Sequence, residues 1–308
     1  MDVEVLREFL QICDAGSYVR AAEALGVSQS ALTKRITRLE RQLGARLLER
    51  GVFGAHPTAA GRAVMDTARR MCAERRVLEL ELGALQGGRV GEVRLGVGVS
   101  VSGRILPLAC RELYGRHPGV SVVVEEAMYP KLVSRLLRGE LDLLVTAPHA
   151  EFELDPELRA RPVFTDSDVV TLRAHHPLAG KPGVTPAQLA QFPWVIARQV
   201  APVRERLWRA FLAAGAAPPT QVLLTDSAQV TKSLVLQGDF VALLSPELTH
   251  NERAANLLAT PDLPQLRQTR QGMIVHRRRY RLDAAAQAVA DAVVWACRQL
   301  FRERRHRR

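Results

Sequence analysis

The sequence predicts an α/β protein: an all-α-rich N-terminal module, one long connecting helix, and a larger region in which strands and helices alternate. Three observations predict it. Apolar residues recur at three- and four-residue steps in three short segments before residue 50. One uninterrupted stretch of helical periodicity then runs from Thr58 to about Gln86, and beyond Val90 short apolar runs alternate with helical segments. A chain of 308 residues, 47% hydrophobic, has room for two or three domains with real cores. No run approaches the roughly 18 to 20 apolar residues of a membrane span, and an opening with Asp2 and Glu4 is unlike a secretion signal. The expectation is a cytoplasmic protein with no membrane partner.

The first helix carries Leu6, Phe9, Leu10 and Cys13 on one face and ends at Gly16. Ser17 has the chemistry of an N-cap for a second, shorter helix with Ala21, Ala22 and Leu25 inward and Gly26 as its stop. Ser28 caps a third, in which Leu32, Ile36, Leu39 and Leu43 form a buried stripe ended by Gly44. Its other face gathers Gln29, Ser30, Thr33, Lys34 and Thr37, hydrogen-bonding side chains that begin at the helix N-terminus. Such a face has the reach to read base edges, and the N-terminal amides favour phosphate. On spacing alone, any small helical bundle accounts for these helices equally well.

Gly16-Ser17-Tyr18, Ala21-Ala22-Glu23-Ala24-Leu25, the run Ser28 to Thr33, and Leu39, Glu40, Leu43, Gly44, Leu47, Leu48 and Arg50 carry a specific pattern. Together with Leu6 and Phe9 they resemble the signature of the LysR family of transcriptional regulators. The resemblance implies a winged helix-turn-helix over residues 1–58 that binds double-stranded promoter or operator DNA through Ser28, Gln29, Ser30, Thr33, Lys34 and Thr37. It also implies a wing after Arg50. Where the family usually offers arginine at the wing tip, this chain has Gly51-Val52-Phe53-Gly54-Ala55-His56, so Arg50 and His56 are the remaining contacts and fewer phosphate contacts are expected.

Thr58 caps the long helix, which Gly87-Gly88 breaks. Val64, Ala68, Met71, Arg75, Leu78, Leu82 and Leu85 recur at alternating steps of four and three, a heptad seam in which Arg75 is the misfit. Such a stripe packs either on its own domain or on a second copy. The resemblance favours the second copy, making residues 59–88 a linker and dimerisation helix in a homodimer or homotetramer that presents paired recognition helices to a palindromic site.

Strands are expected at Val90 to Gly98, Val120 to Glu125 and Leu141 to Thr146, separated by helices at Ile105 to Gly115 and Pro130 to Arg138. A second cycle follows with strands at Asp168 to Leu172, Trp194 to Ala197, Gln221 to Leu224 and Val241 to Leu244, and a helix at Pro202 to Ala214. The chain returns through Gly272 to His276 to a final helix from Ala284 to Leu300. This alternation favours a parallel sheet covered by helices. The order and length are similar to the family's effector domain, which resembles type 2 periplasmic binding proteins. That implies a domain over residues 89–308 with one lobe at about 89–163 and 267–304, a second at about 164–266, and a small-molecule effector between them. Ser100 and Ser102, at a strand end and helix start, are the leading contacts, with Thr146, Arg198, Gln199, Ser227 and Gln229 at comparable positions and Met128 and Tyr129 as an apolar wall. Arg198 adds a sharper expectation, an anionic effector held in a bidentate clamp.

Net charge is +11, but residues 1–62 carry 9 basic against 7 acidic groups, residues 63–266 carry 22 against 22, and residues 267–308 carry 12 against 3. The excess is C-terminal, where it either adds nonspecific DNA affinity or is a solvated end, so the overall charge says little about DNA recognition. Cys13, Cys72, Cys110 and Cys297 are far apart with no metal-ligand spacing, which favours reduced, packed thiols over a redox pair. Gly96-Val97-Gly98 lacks the third glycine of a dinucleotide fingerprint, because Val101 stands there, and Gly98 to Ser102 lacks the closing glycine of a nucleophile elbow. No enzyme, cofactor or metal site is expected. The alternative from another class is a ligand-binding protein whose N-terminal helices serve only partner contact, which would not need the polar face of residues 29 to 37.

Overall fold

The computed structural model describes residues 2–51, 54–85, 91–198 and 201–305. The hairpin tip Val52-Phe53, the helix-breaking Gly87-Gly88, Val90 at the expected strand start, the cleft candidate Gln199 and the tail residues Arg307 and Arg308 lie outside the described residues. The chain divides into two compact units, residues 1–91 with 134–141, and residues 92–133 with 142–308.

In the first unit α1 (Val3–Ala15), α2 (Tyr18–Leu25) and α3 (Gln29–Leu43) have the expected caps. Asp2, Ser17 and Ser28 each accept a backbone N–H of their own first turn, and Gly16, Gly26 and Gly44 close the three helices at φ of 62°, 66° and 66°. Leu6, Phe9, Ile12, Leu32, Ile36 and Leu39 are buried between the helices; Leu43, expected in the same stripe, is 40% exposed because α3 outruns the core in its last turn. The hairpin β1 (Leu48–Gly51) and β2 (Gly54–Pro57) follows, with Leu48 opposite Pro57 and Gly51 opposite Gly54.

Two glycines fix this hairpin. The Ala55 amide donates to the Gly16 carbonyl at 2.9 Å. At Gly54, where φ is 123°, a Cβ would lie 2.2 Å from that same carbonyl oxygen, so only glycine lets the strand dock on the α1–α2 turn. Downstream, Thr58 accepts the Gly61 amide at 3.0 Å and starts α4 (Ala59–Leu85), a helix about 40 Å long.

The expected heptad seam is divided in two by the structure. Ala68 is buried, and Val64 and Met71 pack into the core formed by α1 to α3, while Arg75 pairs with Glu4 of α1 at 2.9 Å. The first half of the seam is thus intradomain packing. Leu78 and Leu82 are 54% and 48% exposed, so among the described residues the distal part of α4 shows apolar side chains to solvent.

The second unit is built on β3 (Glu92–Val97), α5 (Val99–Ser102), α6 (Ile105–Arg116), β4 (Ser121–Glu126), the start of α7 (Tyr129–Leu137, which from Ser134 on belongs to the first unit) and β5 (Leu143–Thr146), then a long β6 (Leu158–Arg173). It continues through α8 (Pro186–Leu189), β7 (Trp194–Ile196), α9 (Ala201–Ala213), β8 (Val222–Leu224), α10 (Ala228–Gln237), β9 (Val241–Leu244), α11 (His250–Ala254), β10 (Leu258–Ala259), β11 (Gln268–Arg277) and α12 (Ala284–Arg305). The strand order is β4-β3-β5-β11-β6-β9-β7-β8, with β10 on β6. β4, β3 and β5 are mutually parallel, as are β8, β7 and β9, which is the alternation expected of βαβ units.

Strands β6 and β11 depart from that expectation. They run antiparallel to each other and to their neighbours, and they join two halves, each with its own core. One core lies under α6 and α12; the other surrounds Trp194 and Phe211, whose rings meet edge-on at 5.3 Å. Both joining strands are longer than the sequence suggested, β6 by ten residues at its start. A register shift interrupts the β6–β11 ladder at Gly272 and Met273, where a Cβ on Gly272 would lie 2.3 Å from the Phe164 ring.

Candidate nucleic-acid interface and ligand cleft

On α3, Gln29, Ser30, Lys34 and Thr37 are exposed and Thr33 is half-buried, opposite the apolar stripe. The Ser28 hydroxyl accepts the Ala31 amide at 3.2 Å and lies 3.2 Å from that of Ser30, so its acceptor capacity is committed to the cap. Arg38 and Arg41, not singled out from the sequence, are also exposed, and with Lys34 they fall at steps of four and three along the helix. That spacing was the signal available for them. Arg35 is different: it binds Glu8 of α1, which is 2% exposed, and braces the two helices against each other. Burial raises the Glu8 carboxyl above its ordinary value and the Arg35 charge opposes the rise. His56 is exposed opposite Glu49 in the hairpin register, and the Arg50 backbone pairs with Ala55. The Glu40 carboxylate accepts the Leu47 and Leu48 amides at 2.7 and 3.1 Å, anchoring the chain where it leaves α3 for the hairpin.

In the second unit a cavity of about 870 Å³, counted with its open mouth, lies between the two halves of the sheet. Ser100, which is 2% exposed, and Met128 line it from one side and Ser227 from the other. Trp194, Ile196, Val203, Leu207, Leu244 and Leu248 make most of the second side apolar. Tyr129 and Thr146 line a smaller adjoining hollow of about 370 Å³ with Phe152, whose ring lies 5.4 Å from that of Tyr129.

Three expected contacts do not line the cavity. Ser102 donates to the Val99 carbonyl at 2.9 Å within its own helical turn. Gln229 is exposed and donates to the Ser233 hydroxyl at 3.5 Å. Arg198, expected to clamp an anion, is 66% exposed; its amide and Nε bind Asp226 at 2.9 and 3.3 Å. The carboxylate expected from a ligand comes instead from Asp226 of its own chain.

The charge at the floor of the cavity belongs to Arg270, which the sequence did not suggest. Buried on β11, it donates to Asp166 at 3.0 Å, to the Ala147 carbonyl at 3.1 Å, and to Asp168. Ser245 donates to the other Asp166 oxygen at 2.9 Å. Burial pushes the Asp168 carboxyl up to about 6, the Arg270 charge opposes it and Asp166 adds to it. Beside it, His149 is driven down to about 3 by burial and by the Arg270 and Arg206 charges. A guanidinium only donates, so His149 Nδ1 accepts from Arg206 at 3.2 Å and the ring is neutral. Arg206, on α9, also reaches Gln268 at 2.8 Å and Glu151 at 3.2 Å, tying α9 to the segment after β5 and to β11.

None of the cysteines is activated. Burial raises all four thiols above their ordinary value, Cys13 to about 11 and Cys297 to about 12, which suppresses the thiolate a redox sensor needs.

Residues 3–62 match the family described as bacterial regulatory helix-turn-helix protein, lysR family, and residues 86–298 match the LysR substrate binding domain. The SDS degradation transcriptional activation protein of a Pseudomonas species is 33% identical over 297 residues, covering 95% of each chain. The small neutral protease regulatory protein of Streptomyces coelicolor is 32% identical over 305 residues, 97% of this chain and 89% of that protein. The crystal structure of full-length CbnR with its target DNA superposes with a TM-score of 0.67 at 21% identity, over 96% of this chain and 100% of that one.

Proposed function

Because the chain belongs to the LysR family of bacterial transcriptional regulators, we propose that it reads operator DNA with α3 and answers to a small molecule held between the two halves of its second unit. The observation that carries the first part is the division of α3. Leu32, Ile36 and Leu39 are buried behind it, and Gln29, Ser30, Lys34 and Thr37 are exposed in front. Gln29 and Ser30, at the helix N-terminus, are placed for base edges; Lys34, Arg38 and Arg41 supply phosphate contacts, each adding to the salt dependence of binding. Thr33 supports them from its half-buried position, and Ser28 acts by presenting helix amides. Arg50 and His56 are assigned to the backbone contacts of the wing.

Residues 1–58 form the DNA-binding module, 59–88 the linker helix and 89–308 the effector domain, with lobes at about 89–163 with 267–304 and at 164–266. Ser100, Met128 and Ser227 contact the ligand directly, and Tyr129 and Thr146 do so where it extends into the adjoining hollow. The chain self-associates through the distal α4 side chains Leu78 and Leu82, and through edge strands β4 and β8, which expose Val123, Val124, Leu223 and Leu224 beside unpaired backbone. It works in the cytoplasm and carries out no catalytic step; among the described residues no helix is long and apolar enough to cross a membrane.

A mobility-shift titration across salt concentrations with DNA from upstream of its own locus tests the DNA reading. Gln29→Ala with Thr33→Ala is expected to remove sequence-specific retardation and leave weak, salt-sensitive binding. Retardation indifferent to DNA sequence in the parent chain, and unchanged in the variant, rejects the assignment of α3.

A further inference from the structure

The charges around the cavity restrict what it admits. Its lining includes five ionisable side chains, His149, Asp168, Arg204, Asp226 and Arg270. Four are spoken for within the chain. Asp168 and Arg270 bind each other, Asp226 is bound by Arg198, and His149 is a neutral ring accepting from Arg206. Arg204, in the first turn of α9, is the lining charge with no ion-pair partner among the described residues.

The uncharged lining is largely apolar, with Trp194, Ile196, Val203, Leu207, Leu244 and Leu248. A hydrophilic ligand that forfeited its hydration against such walls would gain too few hydrogen bonds in return. An apolar body buries its surface there at no such cost.

We infer that the ligand is a monoanionic amphiphile: a hydrocarbon or aromatic body in the apolar wall and a single carboxylate or sulfate head on Arg204. This rests on the assignment of the cavity as the effector site and adds the class of molecule that fills it. A second acidic group on the ligand would meet Asp168 or Asp226. An ammonium group would compete for carboxylates that already accept from a guanidinium.

The test is isothermal titration of the full-length chain with four probes: octanoate, octanol, succinate and lysine. Octanoate is expected to bind, octanol about tenfold more weakly because it keeps the body and loses the head, and succinate and lysine not at all. In Arg204→Gln the affinities for octanoate and octanol converge, whereas the same substitution leaves the thermal midpoint of the unliganded chain in place. Preferential binding of succinate or lysine overturns the amphiphile and leaves the effector cavity standing. Absence of heat with all four probes at two temperatures about 20 °C apart, between which apolar burial must change the enthalpy, also overturns the amphiphile. The cavity assignment is tested separately by Leu207→Trp, which fills the space: if its DNA footprint and that of the parent respond identically to a cell extract that alters the parent's footprint, the effector binds elsewhere.

Discussion

Replacing Arg270 with methionine keeps most of the side-chain volume and removes the guanidinium from Asp166 and Asp168, two carboxylates that are 2% and 8% exposed. A buried charge deprived of its partner costs about 3 to 5 kcal/mol, and here two are left together, one of them already pushed up to about 6 while Arg270 is present. The variant relieves part of this by holding a proton on Asp168, whose folded-state pKa then rises further above its unfolded value of about 3.9. A group raised in this sense lends stability that is complete below the unfolded pKa and lost as pH rises through the folded one. Parent and variant lose this contribution alike up to about pH 6, where Asp168 of the parent has titrated; above it only the variant goes on losing, so the deficit of Arg270→Met grows by about 2 kcal/mol between pH 6 and 7.5, toward the 3 to 5 kcal/mol of an unpaired buried charge. Trp194, Trp208 and Trp295 all lie in the second unit, so tryptophan fluorescence during urea unfolding reports that unit alone. Adding Asp168→Asn to Arg270→Met removes one of the two unpaired charges and recovers part of the loss at pH 7.5. A deficit below about 1 kcal/mol that does not vary with pH, or a double variant less stable than Arg270→Met, would show that the three side chains do not form the coupled group described.

Two further outcomes follow from the same geometry. Gly54→Ala places a Cβ 2.2 Å from the Gly16 carbonyl oxygen at a φ of 123°, and the wing must leave the α1–α2 turn; we expect a loss of about 1 to 3 kcal/mol in the helical transition followed by circular dichroism and weaker DNA binding, and parent-like values in both would contradict the docking. The neutral His149 ring, driven down to about 3, lends stability that is complete above about pH 6.5 and is lost as pH falls toward 3; His149→Asn, which cannot titrate, flattens the thermal midpoint between pH 7 and 4.5 relative to the parent, and parallel curves would mean that the ring is protonated in the folded state.

The helices were legible because their ends carry local chemistry. Ser17, Ser28, Gly16, Gly26 and Gly44 announce caps that depend on neighbours a few residues away, and the structure has each in its role. Strand β6 was half hidden for the opposite reason. Its buried positions include Asp166 and Asp168, and Pro162 and two arginines precede them, so hydropathy shows no strand there. The ion group at the cavity floor depends on register: Arg270 lies opposite Asp166, and Gln268 opposite Asp168, across a hundred residues or more of sequence. Arg198 looked like a cleft residue because its position at a strand end was visible and its partner Asp226, 28 residues on, was not. The heptad seam of α4 has a period that two uses share, and burial of Ala68 against exposure of Leu78 is what separates them.

The irregularity at Gly272 lies two residues from Arg270. Beyond it Met273 to Val275 are laced to β5, and before it Arg270 is held against the aspartates of β6. The ring of Phe164, stacked 5.5 Å from Phe301, occupies the space a side chain at 272 would need. The strand thus breaks its ladder two residues from its buried charge. The two stretches of β11 on either side of the break answer to different partners, one to the backbone of β5 and the other to the carboxylates of β6, so the ladder does not oblige a displacement of one to carry the other with it.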